Sequence, residues 1–224
     1  MPGRLVPLVE GQIYHVFNRG IDSRTTFSGL REFQRVQLLA RYYRFRTPPV
    51  RFSKFMTLQR DIRDKWISDL SEQDDKLVEI LAYCFMDNHF HFLLKQLLPN
   101  GTSKFMANFQ NSYTRYFNTK HERIGPLFLD QFKAVRIVTD EQLVHVSRYI
   151  HLNPLTSYLV KDFAALKNYR WSSLNEYIGV PVFRISKPTE VMAFFKSSNS
   201  YEKFLVDQVV YQRELDRIKH LILE

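Results

Sequence analysis

The chain has 224 residues, with 32 Lys and Arg against 23 Asp and Glu, and a formal net charge of +9. Hydrophobic residues make up 45% and aromatic residues 15%, which excludes a disordered chain and is enough for a sizeable core. The lone cysteine, Cys84, excludes an intrachain disulfide, and its apolar surroundings predict a buried thiol in a reducing compartment. No apolar run reaches the roughly 18 residues of a membrane span, so we expect a soluble cytoplasmic protein. The positive charge favours a polyanionic partner.

Hydrophobic periodicity predicts the elements in chain order. We expect a strand over 13–17, a helix over 30–43, an insertion over about 48–76 with a helix at 56–70, strands over 78–85 and 89–94, a helix over 103–120, a strand over 132–138, a helix over 139–152 and an amphipathic tail helix over 201–223. Thr102 is predicted to cap the helix over 103–120. Asn153-Pro154 is predicted to end the helix that begins at 139.

This order of elements is typical of an α+β fold. We expect a ferredoxin-like antiparallel sheet with helices packed on one face, followed by a C-terminal helical extension. The corresponding units are a main domain over 8–158 and a mostly helical segment over 159–224.

Two histidines on the predicted strand over 89–94 are candidate metal ligands. His89 and His91 are two residues apart, so they point to the same face of the strand about 7 Å apart and can reach one ion. Phe90 points to the opposite face, towards a core. Two ligands are too few for a closed site, so a third must come from elsewhere.

A polar stripe on the helix over 139–152 can supply further groups. His145, Tyr149 and Asn153 follow one another at four-residue spacing, which brings neighbours to about 6 Å. The amide oxygen of Asn153 can complete a metal shell, and the phenol of Tyr149 can attack an electrophile that the metal polarises. A phosphodiester is the natural electrophile. Tyr113 and Tyr116 on the preceding helix are alternative nucleophiles.

These residues resemble the HUH single-tyrosine transposases, and most of all the REP-associated tyrosine transposases. The matching motifs, spread over about residues 11–178, are Tyr14-His15-Val16-Phe17-Asn18-Arg19-Gly20, Met86-Asp87-Asn88-His89-Phe90-His91, Gly125-Pro126-Leu127-Phe128, Tyr149-Ile150-His151-Leu152-Asn153-Pro154 and Tyr169-Arg170-Trp171-Ser172-Ser173. Asp87, Phe128 and Gln131 depart from the residues common in that family.

The resemblance implies a function and a set of roles. Members cleave single-stranded DNA beside palindromic hairpins, leaving a 5′-phosphotyrosine and a free 3′-hydroxyl, and use Mg²⁺ or Mn²⁺. By this resemblance His89, His91 and Asn153 are the metal ligands, Tyr149 is the nucleophile, and the protein is associated with the nucleoid. The sequence leaves open whether it is a monomer or a homodimer.

Cationic residues in three regions are candidate DNA contacts. Between residues 41 and 65, Lys and Arg alternate with rings, the combination that binds single strands. The full set of candidates is Arg19, Arg41, Arg44, Arg46, Lys120, Arg123, Lys133 and Arg136.

Two other functions remain open from the residues alone. A ferredoxin-like sheet with exposed rings also serves as a non-catalytic single-stranded nucleic-acid-binding module. A zinc hydrolase could use His89 and His91 with a carboxylate, although the helical His/Glu motif typical of such enzymes is absent from the sequence.

Overall fold

The structure is a computed structural model that describes residues 7–180 and 184–207. Within those ranges, none of the helices is both long enough and apolar enough to cross a membrane. The predicted tail helix is present only as its first part, because the residues beyond 207 lie outside the described range.

Four strands and nine α-helices make up the described part of the chain. The strands are β1 (Ile13–Arg19), β2 (Val78–Phe85), β3 (His89–Gln96) and β4 (Lys133–Ile137). The helices are α1 (Leu30–Tyr43), α2 (Phe52–Phe55), α3 (Arg60–Gln73), α4 (Gly101–Lys120), α5 (Asp140–Thr156), α6 (Phe163–Lys167), α7 (Leu174–Tyr177), α8 (Thr189–Met192) and α9 (Ser198–Val206).

The strands form one antiparallel sheet in the order β2-β3-β1-β4. This is the ferredoxin-like order, with the first and third strands of the chain at the centre, and the predicted fold class is confirmed. Because β3 lies between β1 and β2, its side chains are fixed in register from both sides. His91 is opposite Phe17 on β1 and opposite Cys84 on β2.

Helices cover both faces of the sheet, so the prediction that they lie on one face is wrong. Phe90 and Phe92 of β3 belong to a core shared with α1 and α4. Leu93 of the same strand belongs to a second core with α5, α7 and α9. Alternation along β3 sends neighbouring side chains to opposite faces, and both faces of this strand are apolar enough to need a cover.

The insertion helix predicted over 56–70 is observed as α3, Arg60–Gln73, and two predicted boundary signals, Thr102 and Asn153-Pro154, do not mark the helix ends observed. Asn100, with a φ of 59°, is the N-cap of α4, and Thr102 is buried within the helix. Helix α5 is capped by Thr139 as expected, since its side chain accepts from the Gln142 amide at 3.1 Å. It continues through Pro154 to Thr156, because a proline near the end of a helix removes a single hydrogen bond and the last turn is closed by other donors.

Those donors converge on the backbone oxygen of Asn153. It accepts from the Ser157 amide at 3.0 Å, the Ser157 hydroxyl at 2.7 Å and the Thr156 hydroxyl at 3.2 Å. The last turn of α5 is therefore held although Pro154 has no N–H to give.

The C-terminal segment packs on the sheet and α5. Leu174, Tyr177, Tyr201 and Leu205 are buried in the same core as Cys84. Cys84 is fully buried, as predicted, and burial raises the pKa of its thiol. The division into units at residue 158 stays a prediction.

A buried polar network joins α5 to this segment. The His151 ring lies 2.7 Å from the Tyr201 hydroxyl through Nδ1 and 2.7 Å from the Ser173 hydroxyl through Nε2. The Tyr201 hydroxyl is also 3.1 Å from that of Ser147. Burial lowers the pKa of His151 from 6.5 to about 3, because the charged imidazole would lose its hydration.

We expect acid to destabilise the protein through His151. The unfolded chain binds a proton at this residue below pH 6.5, whereas the folded protein does so only near pH 3, so stability is lost as the pH falls through that interval. At about 1.4 kcal/mol per pH unit, the free energy of unfolding should fall by about 2 kcal/mol between pH 6.5 and pH 5. Urea unfolding at each pH measures this, and His151→Gln should flatten the dependence; an unchanged slope would contradict the assignment.

Candidate metal and nucleophile site

Three side chains that are distant in sequence meet between β3 and α5. Nε2 of His89 lies 3.2 Å from Oδ1 of Asn153, and Nε2 of His91 lies 3.4 Å from Nδ2 of the same carboxamide. His91 and Asn153 are each 5% exposed, whereas His89 is half-buried. The two imidazoles thus present the same ring nitrogen to one amide, at the edge of solvent.

Neighbouring groups set the orientation of both rings. Nδ1 of His89 lies 2.6 Å from Oδ1 of Asn88, which can only accept, so His89 donates from Nδ1 and turns the lone pair of Nε2 towards Asn153. Nδ1 of His91 lies 3.0 Å from Nε2 of His15, and the two rings stack at 5.1 Å. Hydrogen bonds at the far nitrogen are how proteins orient ligating histidines.

The turn before His89 is itself anchored. The side-chain Nδ2 of Asn88 donates to the backbone oxygen of Ser23 at 3.2 Å. The backbone oxygen of Asn88 accepts from the backbone amide of Gly20 at 2.8 Å. Asp87, one of the departures from the family, uses its backbone oxygen to accept from Thr26 and Phe27 at 2.7 and 2.8 Å. Its carboxylate is on an exposed residue, and the turn needs only its main chain.

The ring of Tyr149 lies beside these groups. Its centroid is 5.4 Å from that of His91 and 5.8 Å from that of His15, in edge-on contact with both. Tyr149 is half-buried, one helical turn before Asn153 on α5. The stripe does not extend to His145, whose Nδ1 is 2.6 Å from a guanidinium nitrogen of Arg148.

The alternative tyrosines are on the other face of the sheet. Tyr113 is fully buried in the core of α1 and α4, where its hydroxyl donates to the Thr26 oxygen at 2.6 Å. The Tyr116 hydroxyl donates to the Glu32 carboxylate at 3.3 Å. Burial raises the pKa of both phenols, which disfavours the phenolate needed for attack.

The donor set fits a divalent cation. Two imidazole nitrogens and an amide oxygen are ligands that protein-bound divalent metals accept, and the oxygen donor is compatible with Mg²⁺ or Mn²⁺. Among the described residues, no cluster of three His, Cys, Asp or Glu side chains is suited to a metal. A set built only from those residue types, as in the zinc hydrolase alternative, therefore has no counterpart in the described part of the chain.

The structure brings two residues to the site that the sequence analysis did not assign to it, His15 and Asn88. The partner of His15 is His91, which is itself a candidate ligand. The alternation of side chains along β1 is the sequence signal that could have identified His15, because it places His15 on the same face as Phe17.

Two candidate DNA contacts lie on the same face as the histidines. Arg19 is opposite His89 in the register of β1 and β3, and Lys133 is opposite Phe17 in the register of β1 and β4. Directly opposed residues of an antiparallel pair point to the same side of the sheet. Both side chains are exposed, so they border the site.

Three other candidates lie away from it. Arg136 is on the opposite face of the sheet, where Nη2 donates to Oε1 of Gln12 at 2.8 Å. Lys120 forms an ion pair with Glu32. Arg123 donates to Oδ1 of Asn118 at 2.8 Å in the loop after α4.

The segment after α1 is divided between core and surface. Arg44 is nearly buried and donates to the Ile185 oxygen at 2.9 Å, Arg46 is exposed beside Asp75, and Arg41 lines a cleft described below. The rings predicted to stack on bases are in the core: Tyr42, Phe45, Phe52 and Phe55 are at most 1% exposed. That part of the stacking prediction is wrong, because α1, α2 and α3 close over these rings.

Comparison with known proteins places the fold and site in context. The family model described as "Transposase IS200 like" matches residues 54–153, a segment that contains His89, His91, Tyr149 and Asn153. A solved structure of a REP-associated tyrosine transposase bound to a REP hairpin aligns with a TM-score of 0.51 and 12% sequence identity, over 84% of this chain and 98% of that chain. No curated protein matches the chain.

A ferredoxin-like sheet with paired histidines facing a tyrosine-bearing helix is the arrangement that the resemblance to the HUH single-tyrosine transposases led us to expect. The family match over residues 54–153 and the shared fold confirm the resemblance inferred from the motifs of this chain.

The burial of Arg44 predicts a structural effect for its removal. Arg44→Ala should lower the free energy of unfolding by about 1–3 kcal/mol, because the Ile185 oxygen and the Glu79 carboxylate each lose a donor or countercharge. DNA affinity of the folded variant should stay near that of the parent. Urea unfolding measures the stability and binding titrations measure the DNA affinity. Unchanged stability together with weakened binding would show that Arg44 contacts DNA and has no structural role.

Proposed function

We propose that this protein is a transposase of the HUH kind that nicks and rejoins single-stranded DNA beside hairpins. It acts through a covalent link to Tyr149, with His89, His91 and Asn153 holding Mg²⁺ or Mn²⁺. The observation that carries the proposal is the convergence of both Nε2 atoms on one carboxamide, with the Tyr149 ring in contact with His91. The REP hairpin held by the similar solved structure supports a hairpin substrate.

Each side chain has a defined task in the reaction. The Tyr149 hydroxyl oxygen attacks the phosphorus of the scissile phosphodiester, and the bond from phosphorus to the 3′ oxygen breaks. The phenol loses its proton in this step, and the departing 3′ oxygen takes up a proton. The products are a 5′-phosphotyrosine and a free 3′-hydroxyl. Reversal with another 3′-hydroxyl rejoins DNA, since the phosphodiester energy is conserved in the tyrosyl ester.

Electrostatic support for this step comes from two sources. When bound, the divalent cation neutralises charge on a non-bridging phosphate oxygen. Arg19 and Lys133 border the site and add positive charge for the DNA backbone on either side. His15 and Asn88 act through the ligands, because they fix which ring nitrogen faces the carboxamide.

Tyr149→Phe should abolish the covalent adduct and retain DNA binding, since only the attacking hydroxyl is removed. The assay incubates protein with a labelled hairpin oligonucleotide and Mn²⁺, then detects adducts that survive denaturation. Tyr158→Phe is the matched control, because Tyr158 is an exposed phenol beyond the end of α5. An adduct that persists in Tyr149→Phe would move the role to another residue.

A chelator separates the enzyme from a non-catalytic binding module. With excess chelator, we expect hairpin binding to continue while cleavage stops. Cleavage that is indifferent to chelator would contradict the proposed ligands, and binding without any cleavage under all metal conditions would favour the module.

Asn88→Ala should weaken Mn²⁺ binding by about 10–100-fold, because the His89 ring loses the acceptor that orients it. Titration calorimetry with Mn²⁺ measures the affinity directly, without relying on activity. Asn199→Ala, at an exposed position on α9, is the control and should bind as the parent does. Equal affinity of the two variants would show that Asn88 has no part in cation binding.

A further inference from the structure

A cleft on the α1 and α4 side of the sheet has no role in the reaction described above. It encloses about 1130 Å³ between α1, α3 and the chain from Lys167 to Asn175. Tyr83 of β2 forms part of its floor, and this side chain belongs to the core on the α1 and α4 face, opposite His89 and His91. The cleft is therefore separate from the candidate metal site.

The lining of this cleft is strongly cationic. Helix α1 contributes Arg31, Arg35 and Arg41, while Arg60 and Arg63 come from α3. Lys167 and Arg170 complete the opposite wall. Asp64 is the only carboxylate among the described lining residues, and its Oδ2 already lies 3.7 Å from Nε of Arg60.

Polar atoms in the cleft are buried without a hydrogen bond. Nε of Arg35 and Nε of Arg63, both N–H donors, have no hydrogen-bond partner among the described residues. Burial also lowers the pKa of Arg35 and lowers that of Arg41 to about 10. Buried cations are costly unless an anion compensates them, so this cleft is suited to an anionic ligand.

Size and composition argue for an extended polyanion. Small-molecule pockets measure roughly 300–1,000 Å³ and contain only a few polar groups, whereas this cleft is larger and several arginines line it. A second groove of about 700 Å³ shares Arg35 and Tyr116 with it and adds Arg51 and Arg115. The cationic surface thus continues along α1, whose 14 residues span about 20 Å, comparable to six base pairs of duplex.

The rings of the cleft are already paired with neighbouring side chains or buried. The Arg35 guanidinium lies 4.1 Å from the centre of the Tyr116 ring, and Trp171 stacks on Phe33 at 4.8 Å. Tyr83 is 2% exposed. Single strands are bound by stacking bases on open rings, whereas a paired stem offers mainly phosphates.

We propose that this cleft binds the phosphate backbone of a base-paired DNA stem. The proposal rests on the proposed function in taking DNA as the ligand, and it adds where the stem is held. The cleft wall also leads towards the candidate metal site, because the Trp171 oxygen accepts from the amide of Phe85, four residues before His89. A stem held here would leave its unpaired flank near the start of β3, where His89 lies.

The test measures binding alone, in chelator and in the Tyr149→Phe background, so that no probe is cleaved. Three exposed cleft residues are replaced together in Arg31→Ala/Arg60→Ala/Arg170→Ala, which spares the core. The control is Lys104→Ala/Lys196→Ala/Lys203→Ala, which removes the same charge at exposed positions outside both grooves. The probes are a DNA hairpin with a stem of about eight base pairs and an unstructured strand of equal length.

We expect the cleft variant to lose about 10–100-fold in hairpin affinity and to lower the slope of log affinity against log salt by about 2–3. The control variant and the unstructured strand should change by about threefold or less. Equal losses for both triple variants, equal losses for both probes, or no loss at all would overturn the proposal. A failure of the adduct assay with unmodified protein would instead count against the proposed function and leave this comparison valid.

Discussion

The alternation of side chains along β3 is the constraint on which the rest of the structure depends. His89 and His91 face α5, whereas Phe90 and Phe92 face α4 across the sheet. A shift of the strand by one residue would bury the imidazoles among phenylalanines and expose those rings to the site. The position of β3 between two partners makes such a shift costly, since both ladders would have to break.

The second requirement is a helix that packs on this face of the sheet beside His89 and His91. Tyr149 and Asn153 are one turn apart on α5, so the packing that places one also places the other. Buried leucine and isoleucine side chains on α5 fix the helix against β2 and β3, and the His151 network fixes it from behind. Stability and site geometry thus depend on the same helix.

Much of the fold follows from the sequence, because its periodic signals are local. The bounds of α1 and β2 agree with prediction to the residue, and the spacing of His89 and His91 indicates a shared face directly. Local periodicity could not predict that helices cover the second face of the sheet. It also could not predict that Arg44 and Phe52 are buried. Each depends on which distant segment packs over the residue, as Ile185 does over Arg44.

The helix end at Asn100 illustrates a local choice decided by tertiary contact. Thr102 has the better capping side chain, yet Gly101 lies directly against the backbone oxygen of Leu77, where a Cβ would be only 2.2 Å away. Only glycine fits that approach, so the helix begins there and Thr102 is drawn inside it.

The proline in α5 has a consequence for how freely the candidate site can rearrange. Three donors bind the main-chain oxygen of Asn153 and so fix the backbone at this residue. The carboxamide can then move only by rotation about its own side-chain bonds. Most of the conformational entropy that an incoming ion would otherwise have to remove is already lost on folding. The carboxamide of Asn153 is therefore positioned before an ion binds, although it lies in the last turn of α5, where a helix is ordinarily most mobile.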